Sequence, residues 1–332
     1  MNRIHGKKVV EMDLMQKIQL IEENTVELIT QEEILELLKE KKHPITYCGY
    51  EPSGEVHLGH MVTAIKLSQM EKTGFKVKIL LADWHAFLNK KGTEEEIIEN
   101  VKLWKKVFSK LGIKEPEFIL GSSFQKNQDY IEDLFVLSLN TTINRGLRAM
   151  QEVARDIDNA TVSQSIYPLM QINDIKHLKI DVAQSGVEQR KIHMLAREIL
   201  GKINYKKSCF VHTPLIDSMQ KPGTKMSSSD STNLISVRDT ETEIKKKINK
   251  AYCIEGDSNN ALMQIMKLIV FPKIKFLEVK RPEKFGGNIQ FNSFAELEKA
   301  FNEKKLHPMD LKNSLAKELD GILDPVRKVF KG

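Results

Sequence analysis

Apolar residues recur at helical spacing through residues 11–40, at Ile18, Ile21 and Leu28 and then at Ile34, Leu35, Leu37 and Leu38, and Thr30 stands three residues before Glu33, the spacing of a capping box. This stretch reads as a helical lead-in. After Pro44 the pattern changes to a short β-rich run over 45–50, then a Glu51-Pro52-Ser53-Gly54 turn, then a helix over about 57–72. The alternation continues with a strand over 77–82, a helix over 94–111 and a strand over 117–121. Residues 127–158 carry no strand signal and read as helices. Alternation resumes with a helix over 160–178, a strand at 181–183, a helix over 188–200 and a strand at 208–212. The pattern predicts an α/β fold: a Rossmann-type, doubly wound parallel sheet whose two halves are separated by a helical insertion.

Beyond Ser236 the signal is different. Thr240 and Glu243 cap a further helix, and the remainder to Gly332 is mostly helical, with β-like residues at 275–280. The expected organisation is a lead-in over 1–40, a catalytic domain over 41–236 with its insertion at about 127–158 and a polar loop at 221–230, and a mostly α-helical C-terminal domain over 237–332. A length of 332 residues fits two domains.

Composition narrows the class. With 41% hydrophobic and 29% charged residues the chain has the make-up of a globular protein, and no apolar run approaches the roughly 20 residues of a membrane-spanning helix. The N-terminus, with Glu11 and Asp13 among its lysines, lacks a signal-peptide core, so a cytoplasmic protein with no membrane association is expected. Cys48, Cys209 and Cys253 have no C-x-x-C spacing, which gives no reason to expect a structural metal. The net charge is +6, and residues 241–332 hold 18 Lys+Arg against 13 Asp+Glu, so five of the six excess positive charges lie there. Either a polyanion partner or a solvated lysine-rich face accounts for that bias.

Two motifs carry chemistry. His57-Leu58-Gly59-His60 opens a helix after a strand and a Pro-Ser-Gly turn, and a helix N-terminus attracts phosphate. Its two imidazoles lie three residues apart on one face, where both can meet one anion, and Gly59 lets a flat ring approach the backbone. Lys225-Met226-Ser227-Ser228-Ser229 follows on a polar loop, a cation among hydroxyls suited to a pyrophosphate leaving group. Taken singly, the first motif also fits surface or metal-binding histidines and the second a serine-rich linker. Both occur once, in this order, 165 residues apart, on a βαβ-type chain. A third pattern, Tyr167, Gln171 and Asp174 at i, i+4 and i+7, puts a phenol, an amide and a carboxylate along one helical stripe.

The paired motifs resemble the HIGH and KMSKS signatures of class I aminoacyl-tRNA synthetases. Tyr47-Cys48-Gly49-Tyr50-Glu51-Pro52-Ser53-Gly54, Leu80-Leu81-Ala82-Asp83, Tyr167-Pro168-Leu169-Met170-Gln171-Ile172-Asn173-Asp174 and Gly186-Val187-Glu188-Gln189-Arg190-Lys191 extend the likeness, over essentially the whole chain, to the short archaeal-type tyrosyl enzymes. The resemblance implies activation of L-tyrosine with ATP and Mg²⁺ to tyrosyl-adenylate and pyrophosphate, then transfer to the 3′ end of tRNA(Tyr). It gives catalytic positions to His57, His60, Lys225 and Ser228, and contacts with ATP also to Gly49, Glu51, Gly59, Met226 and Ser227. It places the amino end of tyrosine at Tyr167, Gln171 and Gln189, its phenolic hydroxyl at Tyr47 and Asp174, and pocket walls at Leu80, His85, Phe124, Gln125 and Leu178.

Arg148, Arg190 and Lys191 match positions near the acceptor end of the RNA, and Phe285 and Asp310 match positions at the first anticodon base; by themselves the last two also fit a core phenylalanine and a helix N-terminal carboxylate. The insertion resembles the segment through which the family forms homodimers. Ser228 departs from the signature, which has lysine there, so less dependence on a second loop lysine is expected. Tryptophanyl enzymes share both motifs, but indole has no hydroxyl to justify Asp174 beside Tyr47. A regulatory RNA-binding derivative and a nucleotidyltransferase of the same superfamily are the other readings; the first is opposed by the intact motifs, the second by the long helical C-terminal region.

Overall fold

In the computed structural model, residues 12–152, 159–220, 222–223 and 234–330 are described. The Lys225-to-Ser229 motif and the end of the insertion, 153–158, lie outside them.

The lead-in holds more than helices. Helix α1, Leu14–Glu22, is followed by a strand, β1, Glu27–Ile29, and then by α2, Gln31–Glu40. Thr30 and Glu33 do form a reciprocal capping box at the start of α2. Strand β2, Ile45–Tyr50, leads through the turn to α3, Leu58–Lys72, and then come β3, Lys76–Leu81, α4, Asp83–Leu88, α5, Glu94–Phe108, and β4, Glu117–Leu120. Gly54 closes the turn with φ of +66°, a left-handed conformation that favours glycine, and its carbonyl accepts from Trp104 Nε1 at 3.2 Å. The insertion is helical as predicted, with α6, Gln128–Leu139, and α7, Ile143–Met150. Then follow α8, Val162–His177, β5, Val182–Gly186, α9, Arg190–Ile199, and β6, Cys209–Thr213.

The six strands lie in the order β1-β6-β5-β2-β3-β4. All neighbours are parallel except β1, which runs antiparallel along β6 with Glu27 opposite His212. The chain builds outward from β2 through β3 to β4, then returns to β5 on the other side of β2. Strand order therefore reverses between β2 and β5, the place where a doubly wound sheet opens a crevice at its carboxyl ends.

Helix α3 is buried from Met61 to Met70 with little regard to helical face, because it lies between the sheet and the C-terminal helices. It even encloses Lys66, 1% exposed, whose ammonium caps the carbonyl of Ile21 at 2.9 Å and that of Glu23. Burial lowers the pKa of Lys66 to about 8.

After β6 the chain forms α10, Glu241–Lys250, capped by Thr240 and Glu243, then α11, Ala261–Ile265, a hairpin of β7, Leu277–Val279, and β8, Ile289–Phe291, then α12, Phe294–Asn302, and α13, Pro308–Arg327. Ile244, Leu268, Leu311 and Leu319 from this region share one core with Met61 and Leu67 of α3 and Ile79 of β3. A second core, under α8 and α9, joins Ile172, Ile192, Leu195 and Phe210.

Candidate active site

The crevice at the β2/β5 reversal contains a cavity of about 680 Å³. It is built from four directions. Along β2 only Gly49 is exposed, and it lines the cavity; the nearest atom to a Cβ built there is Leu80 Cδ2 at 3.6 Å, so the protein leaves the sheet surface bare at this point. A glycine inside a central strand marks close approach of a ligand or backbone.

From α8, Tyr167, Gln171 and Asp174 all face the cavity, as the stripe predicts. Pro168 inside the helix gives up one backbone donor within a fully packed run, Tyr167–Met170. Tyr47, Leu80 and His85 from β2, β3 and α4 line the cavity beside them. Asp174 is 1% exposed, and Oδ1 accepts from Gln125 Nε2 at 2.8 Å and from Tyr130 Oη at 2.9 Å. Two neutral donors thus hold Oδ1, while Oδ2 has His85 Nε2 at 3.8 Å. His85 supplies no positive charge there, since burial lowers its pKa to about 4. With no cation opposite among the described residues, burial raises Asp174 to about 7, partly offset by the Gln125 and Tyr130 hydrogen bonds. Burial first, and then the charge of Asp174, push the Tyr47 phenol well above its usual range.

Two buried atoms at this end, His85 Nε2 and Gln125 Oε1, have no hydrogen-bond partner among the described residues. A pocket with a buried carboxylate and unsatisfied neighbours rewards a ligand hydroxyl and penalises its absence. Gly121 makes the arrangement possible, because a Cβ there would meet Gln125 Oε1 at 2.7 Å. Tyr130 carried no signal in the sequence: it lies in the insertion, far from either motif. Phe124 packs edge-on against Tyr130 with centroids 5.6 Å apart, and Leu178 caps the end of α8; neither lines the cavity.

The third wall is the N-terminus of α3. His57 is the N-cap residue and its Nδ1 accepts from Gly59 N at 3.1 Å, while His57 N donates to His60 Nδ1 at 3.1 Å. The two histidines form a capping box of their own, with ring centroids 4.0 Å apart. The picture of two imidazoles aimed whole at an anion is therefore corrected: one nitrogen of each is spent on the helix end. Burial holds both well below the usual range, His57 at about 4. A neutral ring accepting at Nδ1 carries its proton on Nε2, so each offers a neutral donor rather than a charge. Gly59 has a reason beyond ligand approach, since a Cβ would lie 2.8 Å from His57 Cε1.

Glu51 accepts from Asn89 Nδ2 at 3.0 Å and lies 3.9 Å from Lys91 Nζ, and both Glu51 and Lys91 line the cavity. Opposite, β5, the turn after it and the first turn of α9 contribute Gln184, Glu188, Gln189 and His193. The chain that leaves the Lys225 loop returns beside α3: Leu58 N donates to Ile235 O at 3.1 Å and Val237 N to Val56 O at 3.0 Å. The polar loop is thereby tied at its exit to the residues that cap α3, although Lys225, Met226, Ser227 and Ser228 themselves lie outside the described residues. Among the described residues no group of three or more His, Cys, Asp or Glu could hold a metal ion.

Away from the cavity, Arg148 is exposed on α7. Arg190 Nε pairs with Glu27 at 2.6 Å and Lys191 with Glu152 at 2.9 Å. Phe285 is 60% exposed, which removes the core reading, and Lys284 Nζ sits 4.9 Å from its ring centroid. Asp310 stands in the first turn of α13 after Pro308, where a carboxylate complements the helix dipole whatever else it does.

A doubly wound sheet with a histidine-capped helix at its reversal fits a class I aminoacyl-tRNA synthetase, and the chain belongs to that family: the model for "tRNA synthetases class I (W and Y)" matches residues 39–324. Among its relatives, the tyrosine–tRNA ligase of Methanosarcina mazei is 47% identical over 319 residues, 95% of this chain and all of that one. The tyrosine–tRNA ligase of Archaeoglobus fulgidus is 46% identical over 320 residues, 96% of this chain and 98% of that one. The crystal structure of tyrosyl-tRNA synthetase from Archaeoglobus fulgidus complexed with L-tyrosine superposes with a TM-score of 0.92, covering 96% of this chain and 99% of that one. Tryptophanyl-tRNA synthetase of Aeropyrum pernix has the same fold, at 18% identity, with a TM-score of 0.71. These similarities place the chain on the tyrosine side of the family.

Proposed function

We propose that the cavity binds L-tyrosine with its hydroxyl at Asp174 and ATP across α3, and that the chain is a tyrosine–tRNA ligase acting on tRNA(Tyr). The observation that carries the choice of amino acid is the Asp174 carboxyl, buried at the cavity wall, held by Gln125 and Tyr130 and faced by no cation among the described residues. Tyr47 lines the same region and meets the charge of Asp174. A tyrosine hydroxyl donates to the carboxylate, whereas phenylalanine, which has no donor on its ring, leaves it unsatisfied.

The reaction needs position more than proton transfer, since a substrate carboxylate is already ionised near neutral pH. It attacks the α-phosphate in line, forming the mixed anhydride as the bond to pyrophosphate breaks. His57 and His60 supply neutral Nε2 donors at the positive end of α3, Gly49 and Gly59 give room to the nucleotide, and Lys225 with its serines meets the leaving pyrophosphate. Mg²⁺ would come as part of the ATP substrate and would lower the charge on the leaving group. Tyr167, Gln171 and Gln189 take the ammonium end, and Glu51 stays with Gly49 on the nucleotide side. Transfer to the terminal ribose of the RNA follows, with Arg148, Arg190 and Lys191 near the acceptor end and Phe285 and Asp310 at the anticodon. For Arg190 and Lys191, RNA phosphates compete with Glu27 and Glu152.

One surface supports a further part of this reading. Ile131, Phe135 and Leu139 form an exposed i, i+4, i+8 stripe on α6, continued by Ile143, and a second copy of the chain is its natural cover. No helix among the described residues is long and apolar enough to cross a membrane. Charging of tRNA(Tyr) for translation implies work in the cytoplasm. ATP–pyrophosphate exchange, run separately with each of the twenty amino acids, tests the proposal: exchange should depend on tyrosine, and equal exchange with phenylalanine or tryptophan would sink it.

A further inference from the structure

His193 of α9 and His212 of β6 have no part in the roles described above, yet they join the cavity to the protein surface. His193 is 1% exposed and lines the cavity, and its Nδ1 lies 2.8 Å from Nε2 of the fully buried His212. His212 Nδ1 lies 2.9 Å from Glu27 Oε1, and the same oxygen accepts from Arg190 Nε at 2.6 Å. The two rings stack at 5.1 Å, with Phe210 against His193 at 4.4 Å, so neither ring is free to turn. Burial lowers the pKa of both, that of His212 despite the hydrogen bond and charge of Glu27.

Two neutral imidazoles carry one ring proton each, and the carboxylate at the end of the chain can only accept. The proton of His212 therefore sits on Nδ1, toward Glu27. Its Nε2 is then a bare lone pair, which takes the Nδ1 proton of His193. That leaves Nε2 of His193 without a proton.

The same wall holds Oε1 of Gln184 and Oε1 of Gln189, both buried without a hydrogen-bond partner, and both residues line the cavity. Three acceptors on one wall seek donors; phosphate and carboxylate oxygens offer none. Resting on the reading of the cavity as an aminoacyl-nucleotide site, we propose that the Glu27–His212–His193 chain fixes His193 Nε2 as an acceptor in the cavity. It receives an N–H or O–H donor of the bound substrate, either the α-ammonium of the amino acid or a hydroxyl of the ribose. Glu27 and His212 are positioning residues; His193 is the group that touches the ligand. The edge strand β1 acquires a purpose, since its antiparallel register sets Glu27 opposite His212.

Nitrogen-15 NMR of the imidazoles in the full-length protein reads the tautomers directly. At neutral pH both histidines should carry hydrogen on Nδ1 and none on Nε2, and a non-reactive tyrosyl-adenylate analogue should shift the Nε2 resonance of His193. A protonated Nε2 on His193, or no response to the analogue, overturns the proposal without any variant having to fold. In tyrosine-dependent exchange, His193→Phe should raise one KM at least tenfold: that for tyrosine if the donor is the ammonium, that for ATP if it is the ribose. Glu27→Ala should move the same KM by a smaller factor while leaving the other alone. Unchanged KM values in a folded His193→Phe protein count against the proposal, and wild-type exchange in the same series checks the underlying functional reading separately.

Discussion

The Tyr130 hydroxyl donates to Asp174 Oδ1 at 2.9 Å, from a helix of the insertion to a helix of the nucleotide-binding core. The same hydroxyl lies 2.9 Å from the carbonyl of Met170, so its single proton is shared between the backbone of α8 and the acid that helix presents. On the proposed reading, amino-acid choice therefore extends to a residue that does not line the cavity.

Replacing Tyr130 with Phe removes a hydrogen bond to a charged group, worth about 1.5–3 kcal/mol. The carboxylate becomes harder to ionise, and the KM for tyrosine should rise about tenfold or more. Phenylalanine makes no use of the carboxylate, so its weak exchange should hardly change. Discrimination between the two amino acids, measured as the ratio of kcat/KM in pyrophosphate exchange, should therefore shrink; a ratio equal to wild type would show that Tyr130 has no part in it.

Asp174 makes stability depend on pH. Burial raises its pKa from 3.8 to about 7, so between those values the folded protein holds a proton that the unfolded chain has released. Stability contributed by this group is complete below about pH 4 and is lost as pH rises through 7, at most about 4 kcal/mol. Urea unfolding of wild type against Asp174→Asn at several pH values should show a downward slope from pH 4 to 7 that the variant lacks. A bound tyrosine hydroxyl favours the ionised form, so tyrosine binding just below pH 7 should release protons, visible in calorimetry as a dependence on the buffer.

At the helix end, the prediction concerns backbone space. A methyl group on residue 59 would lie 2.8 Å from His57 Cε1 and push the ring off the helix terminus it caps. Gly59→Ala should lower the rate of exchange at least tenfold and raise the KM for ATP, because the His57 donor is displaced. Tyrosine binding, measured by calorimetry without ATP, should stay within about twofold if the two subsites are separate as described.

How much of this was legible in the sequence follows from which interactions are local. The capping boxes at Thr30 and Thr240, the strand Ile45–Tyr50 and the stripe Tyr167, Gln171, Asp174 depend on residues a few positions apart, and all of them appear. Strand β1 does not announce itself: three residues, Glu27–Ile29, between two helices are too few for a period of two to show, and they form a strand because β6 offers an edge. Strand β8 escaped for the same reason. The pairing of Asp174 with Gln125 and Tyr130 spans 49 and 44 residues, and the chain from Glu27 to His212 spans 185; no spacing rule reaches so far. Phe285 shows the converse, since an aromatic residue in a Lys-Phe-Gly-Gly context fits core or surface equally until its exposure is seen.

Exposure of that ring leads to a test of RNA recognition. Phe285 contributes little to packing, so Phe285→Ala should change stability by less than about 0.5 kcal/mol. Loss of a base-stacking platform costs about 1–3 kcal/mol, so the KM for tRNA(Tyr) in aminoacylation should rise about tenfold or more. Pyrophosphate exchange, which needs no RNA, should be unaffected; a parallel loss in both assays would point to a structural role instead.

Finally, the stripe on α6 makes a prediction about assembly. Phe135 is 66% exposed and Leu139 85%, on the opposite side of the helix turn from the fully buried Tyr130 and Leu137. The inner face of α6 anchors the acid of the cavity through Tyr130 while the outer face offers apolar surface to a partner, so a dimer formed there braces the element that shapes the amino-acid pocket. Burying a phenylalanine and a leucine from each chain at about 25 cal/mol per Å² gives several kcal/mol, and a carboxylate in their place would be enclosed without a counter-charge. Phe135→Glu should convert a dimer to a monomer in sedimentation velocity at micromolar concentration, with tyrosine KM raised as α6 loosens. A wild-type chain that sediments as a monomer under those conditions would defeat the assignment of this face, and a monomeric variant with unaltered KM would show that the brace is not needed.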